Sequence, residues 1–129
     1  MKTKLPVLAL ALTVAPFLMG AEDPPPQHVQ LMKESGQLQG KIRKNEDVEA
    51  SAKRLAAISV EVEAFWAKRS EVGLKSAKEA SAAANAIAKA AGAGDAAGVA
   101  AAGRSLGNAC KTCHDAHREK VSEGVYKIK

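Results

Sequence analysis

Cys110 and Cys113 stand three residues apart near the end of a 129-residue chain, with His114 directly after them. They are its only two cysteines, so no larger disulfide framework competes for them. On a helix turning about 100° per residue, with Cys110 taken as zero, Cys113 falls at about −60°, His114 at about +40° and His117 at about −20°. Both thiols and the imidazole therefore share one face. That face extends an apolar stripe through Val99, Gly103, Leu106, Cys110, Cys113, His117 and Val121, in steps of three or four that mark a buried helical seam. Whatever the triplet holds must be housed by the rest of the fold, against the last helix and toward the core.

Four chemistries use residues of this kind. C-x-x-C-H is the sequence at which haem is covalently attached, the thiols bonding the porphyrin vinyls and the histidine ligating the iron. A thioredoxin-like C-x-x-C needs a strand-to-helix turn in a βαβ setting, and nothing in this chain reads as strand. A zinc site from Cys110, Cys113, His114 and His117 would crowd four ligands into two turns of one helix, a poor tetrahedron. A plain Cys110–Cys113 disulfide would not call for the adjacent histidine. The motif favours one covalently attached haem c, with Cys110 and Cys113 as attachment points and His114 as the proximal iron ligand.

The chain begins with a basic Met1-Lys2-Thr3-Lys4, followed by an uncharged run from Leu5 to Gly20. This reads as a secretory signal peptide over residues 1–20, with cleavage after Gly20 or Ala21. A retained anchor is the competing reading, but the run is punctuated by Pro6 and Pro16 and falls short of the about 20 apolar residues a membrane span needs. No cysteine follows it to carry a lipid. Export agrees with C-x-x-C-H, because haem attachment requires reduced thiols outside the cytoplasm. The expectation is a periplasmic protein with no stable membrane insertion after processing.

The net charge of +5 is modest, it is mixed with 14 acidic residues, and two of the cations, Lys2 and Lys4, sit in the leader. This is no nucleic-acid footprint. It suits docking to a periplasmic redox partner protein, and it equally suits solvated helix surfaces. Aromatic residues make up only 3% of the chain, and much of its 47% hydrophobic content is alanine. A mature domain built this way has a thin core, which a large prosthetic group would fill.

Residues 21–129 read as one all-α domain, an antiparallel up-down-up-down four-helix bundle with haem near the C-terminal helix. A proline-rich segment leads into a first helix from about Pro25 to Lys44, with Val29, Leu31, Met32, Leu38 and Ile42 as inward candidates. Gly36 lies one turn after Met32, where a missing side chain permits close approach of a haem plane. Asn45-Glu46-Asp47 breaks the pattern. A second helix then carries Val48, Ala52, Leu55, Ile58, Val62 and Phe65 on one face, to about Arg69. After a turn at Ser70–Gly73, a third helix carries Ala77, Ala80, Ala84, Ile87 and Ala91 and stops at Gly92-Ala93-Gly94. Asp95 caps a fourth helix, predicted to run past the cysteines to about Ser122. Glu123–Lys129 is left as a short tail.

The whole reading resembles the class II c-type cytochromes, the family of cytochrome c prime and its low-spin, methionine-ligated relatives. The resemblance rests on Gly107-Asn108-Ala109-Cys110-Lys111-Thr112-Cys113-His114-Asp115-Ala116-His117-Arg118, on Ala93-Gly94-Asp95, and on Val29-Gln30-Leu31-Met32-Lys33-Glu34-Ser35-Gly36. Class I relatives carry the haem motif near the start of the chain. Two features depart from the family: the connection between the second and third helices is short, and His117 stands where relatives have tyrosine or phenylalanine.

By that resemblance, Met32 is the candidate sixth iron ligand, a thioether that raises the reduction potential and keeps the iron saturated. Its alternative is an ordinary core methionine. His28 is a weaker candidate, expected as a surface residue near the helix start. His117 shares a helix with His114 and cannot reach the opposite iron face, but it can bond a propionate or solvent. Arg118 and Lys111 are candidates for propionates or docking, and Trp66 packs near the bundle end with no chemistry assigned. The family implies a periplasmic electron carrier with His/Met-ligated iron, in some relatives a homodimer. The alternative is a five-coordinate cytochrome c prime type that binds small gases. No catalytic residue is expected, because a haem enzyme such as a peroxidase would need a distal acid–base pair that the sequence does not offer.

Overall fold

Proline opens the first helix. Pro25 has φ −55° and ψ 144°, and helix α1, Pro26–Arg43, begins with a proline in its first turn, where a missing N–H costs nothing. The computed structural model describes residues 21–129; the predicted leader, residues 1–20, lies outside the described residues. Helix α1 ends at a turn holding Asn45 (φ 58°) and Asp47 (φ 45°), two residue types that tolerate the left-handed region. Asp47 starts α2, Val48–Trp66.

Helix α2 stops three residues earlier than the sequence predicts. Residues 67–69 form a turn, and Ser70 caps α3, Glu71–Gly92, its hydroxyl accepting the Gly73 N–H at 3.0 Å. Gly94, at φ +68°, then turns the chain, and the Asp95 carboxylate accepts the Gly98 N–H at 2.8 Å to cap α4, Ala96–His117. These four helices form the expected bundle. Helices α2, α3 and α4 pack most extensively, and α1 joins mainly through α2.

Small residues make the α2–α3–α4 contact possible. Ala52, Ala84 and Ile87 are fully buried there beside Leu55, Leu106 and Ala109, and alanine lets helix backbones approach closely. Leu31, Ile58, Val62, Trp66 and Ala77 form a second apolar cluster at the other end. On the surface, the Arg54 guanidinium donates twice to Glu34 of α1, at 2.6 and 2.9 Å, clamping α1 to α2.

The largest departure from the sequence reading comes after His117. Helix α4 ends there and not at Ser122, and the supposed tail is a hairpin: β1, Arg118–Ser122, pairs antiparallel with β2, Val125–Ile128, around Glu123-Gly124. Gly124 supplies the positive φ, +70°, that the two-residue turn requires. Val121 therefore leaves the helical stripe and is 54% exposed. Ile128 also forms an antiparallel bridge with Glu22, just ahead of α1.

Candidate cofactor site

Between α1 and α4 lies a cavity of about 740 Å³, walled mainly by apolar atoms from all four helices and bordered at one end by the hairpin. Cys110, Cys113 and His114 line it from α4, and Met32, His28 and Gly36 line it from α1. The shared face read from the helical spacing is thus realised, with Met32 contributed by another wall of the same space. A Cβ built on Gly36 meets no atom within 4 Å, so the cavity is open at the position where the sequence calls for close approach.

Both cysteines are free thiols and half-buried. Burial pushes both thiols above the ordinary range; a main-chain hydrogen bond partly opposes this at Cys110, and the neighbouring Cys110 adds to it at Cys113. His114 is held below the ordinary imidazole range by burial first and by the Arg118 guanidinium second, with Asp115 opposing. A neutral imidazole is the ligating form.

The competing chemistries lose ground on geometry. The C-x-x-C lies inside α4, not at a strand-to-helix turn. Cys110, Cys113, His114 and His117 do not converge, and among the described residues no group of three or more His, Cys, Asp or Glu side chains could hold a metal ion. His117 is occupied elsewhere. One ring nitrogen, Nδ1, lies 2.9 Å from the Lys129 carbonyl and the other, Nε2, 2.6 Å from Ser70 Oγ. Since a carbonyl only accepts, Nδ1 carries a proton; in the neutral ring Nε2 then accepts from the Ser70 hydroxyl, whose oxygen accepts the Gly73 N–H in turn. Both ring nitrogens of His117, which the sequence offers to a propionate or to solvent, are engaged in this chain of hydrogen bonds.

One further residue sits differently from its sequence reading, and a second, placed as read, also borders the cavity. His28 is half-buried and not simply exposed: it lines the cavity, its ring stacked on Phe65 at 4.4 Å and edge-on to Trp66 at 6.3 Å. Burial, then the charges of Arg69 and His114, hold it below the ordinary imidazole range. Trp66 does pack near the bundle end, but only 4% of it is exposed and it too borders the cavity. His28 Nδ1 and Trp66 Nε1 are both buried without a hydrogen-bond partner, a rare condition in a finished core. Helical periodicity placed Phe65 on the inner face but could not show that His28, Phe65, Trp66 and His117 meet, because they come from three elements.

A haem group fits this donor set. Haem is a large apolar plate with two carboxylates at one edge. The cavity offers an apolar interior, two thiols and an imidazole on one wall and a thioether on another. Its charged border holds Lys33, Arg118 and Lys127 against the single acid Asp23, a cationic excess suited to a dianionic edge. Arg118 lies over the Tyr126 ring at 3.8 Å, its Nη1 3.4 Å from His114 Nδ1. Lys111 instead pairs with Asp115 one turn on, away from the cavity.

Comparison with known families matches residues 28–118 to the family described as Cytochrome C'. No curated protein sequence and no solved structure gives a significant match.

Proposed function

Because the chain belongs to the cytochrome c prime family, whose members are monohaem c-type cytochromes, we propose that it is a periplasmic electron carrier. In this reading one haem c is bonded through Cys110 and Cys113 and ligated by His114 and Met32. The observation that carries it is the meeting of Cys110, Cys113 and His114 from α4 with Met32 from α1 around one apolar cavity. When bound, haem supplies a one-electron ferric–ferrous couple.

Each residue contributes a separate part. Two thioether links fix the group to α4, so its position follows the helix. His114 donates its neutral imidazole, and Met32 offers a soft sulfur that favours the reduced state. The apolar wall of Ile58, Val62 and Ala77 keeps water from the centre, so little solvent rearranges when the charge changes. Export through residues 1–20 delivers the chain to the compartment where attachment occurs. Partner docking would use the cationic border of the cavity.

The visible spectrum of the mature protein tests the ligand set. A low-spin ferric spectrum with the weak methionine-to-iron band at the red end is expected, and Met32→Ala should abolish that band. A high-spin spectrum in the wild type, with ready carbon monoxide binding to the ferrous form, would instead establish the five-coordinate, gas-binding member of the family.

A further inference from the structure

The family match ends at residue 118, yet the chain continues for a further turn of structure that walls the cavity. Gly124, Tyr126, Lys127 and Ile128 all line it. Helix α1 rests mainly on α2, so at this end of the bundle the hairpin spans the gap between α1 and α4 in place of helix packing. It is fastened at both sides. On the α4 side, Lys129 N–H donates to the His117 carbonyl at 2.9 Å, while the His117 ring donates to the Lys129 carbonyl. On the α1 side, Glu22 and Ile128 exchange two main-chain hydrogen bonds of 2.8 Å each, and Lys127 pairs with Asp23 at 3.6 Å. Between the fastenings, Ile128 packs against the cluster of Leu31, Ile58, Val62 and Trp66.

We propose that this strap, residues 118–129, determines which ligands reach the iron site. Ile128 and Tyr126 form the barrier, and the Glu22–Ile128 bridge is its clasp. The inference rests on the cavity being the haem pocket, but not on which group is the sixth ligand. A two-stranded hairpin has little stability alone, so its closure depends on these attachments, and small molecules enter the end of the cavity only as often as the strap opens. A pocket walled at this end suits electron transfer, which needs no path for a ligand, and disfavours exchange with dissolved gases by that route.

The test uses mature holoprotein carrying Met32→Ala, so that the iron is open to an added ligand whether Met32 is the native sixth ligand or the site is five-coordinate. Carbon monoxide association with the ferrous form is compared in this protein, in the same protein ending at Arg118, and in the same protein with Ile128→Ala. Removal of the strap should accelerate association by about tenfold or more, and Ile128→Ala should do so to a smaller degree. The chain with Ile128→Ala keeps every main-chain fastening, so it carries the test if the shortened chain does not mature. Rates unchanged in Ile128→Ala, and in the shortened chain where it matures, overturn the proposal. The wild-type spectrum reports on Met32 separately: a missing methionine band removes the His/Met reading and leaves the rate comparison intact. A mature protein without haem, read from its mass, overturns both.

Discussion

The imidazole of His117 stacks on the indole of Trp66, with ring centroids 4.3 Å apart and planes inclined by 24°. This contact joins the last residue of α4 to the last residue of α2, and the same histidine also bonds Ser70 and Lys129. One side chain thereby fixes the end of the bundle, the cap of α3 and the C-terminus of the strap. A tyrosine or phenylalanine at this position could stack but could not make both ring-nitrogen bonds.

Gly73 is where Trp66 presses closest. A Cβ there would lie 2.5 Å from Trp66 Cδ2, and both partners are buried in rigid helix. Gly73→Ala should destabilise the protein by about 1–3 kcal/mol through overpacking. Gly103→Ala, with no atom within 4 Å of the new methyl, should stabilise it by about 0.5–1 kcal/mol from helix propensity alone. Chemical unfolding of the two variants beside wild type measures both.

Ser70→Ala removes an acceptor from the Gly73 N–H and a donor to the His117 ring. The combined loss should be about 1–3 kcal/mol, the sum of a helix cap and one partly buried hydrogen bond. Amide exchange should also quicken at Lys129, whose N–H is held by His117. A loss of stability with no change in that exchange would show that the cap matters and the link to the strap does not.

Stability should fall on mild acidification, and His28 should account for part of the fall. Its folded pKa lies below the 6.5 of an unfolded histidine, so the folded state binds the proton less readily. The contribution is intact above pH 6.5 and is lost as the pH falls from there toward the lower folded pKa, where the loss levels off. Holoprotein carrying His28→Gln should therefore lose less stability between neutral and mildly acid pH than wild type. Denaturant midpoints at the two pH values give the comparison.

Trp66 is the only tryptophan and it borders the cavity, so its emission reports on the bound group. The holoprotein should be strongly quenched by energy transfer to haem, and should remain partly quenched after denaturation because the group stays attached. With Cys110→Ala and Cys113→Ala together, denaturation followed by gel filtration should release the haem and restore full emission. Haem that stays with the unfolded double variant would contradict attachment at these thiols.

The bundle was legible because its causes are local. Asp95 before an apolar run and Gly94 after an alanine-rich stripe are a cap and a stop that work within one turn, and the alternation of Ala77, Ala80, Ala84 and Ile87 fixes the buried face of α3 without reference to its partners; Ser70–Gly73, which reads as a turn, is instead the cap and first turn of α3. The strap was not read, although Glu123-Gly124 between Val121 and Val125-Tyr126-Lys127-Ile128 carries a hairpin signal. A continuing step of three and four through Val121 gave the helix a competing claim. His117 decides between them: its ring and main chain hold Lys129, twelve residues away, an interaction that no helical continuation allows.

From the order of its residues alone, this protein is committed to four helices and to two thiols and an imidazole on one face of the last. Spacing along a helix is a property of the backbone, and needs no tertiary contact to be true. The company that face keeps is another matter. Met32 and His28 reach the same cavity from α1, Trp66 closes on His117, and Glu22 pairs with Ile128 across almost the whole described chain. Those meetings depend on how helices settle against one another, and small differences in packing, summed over distant parts of the sequence, select them.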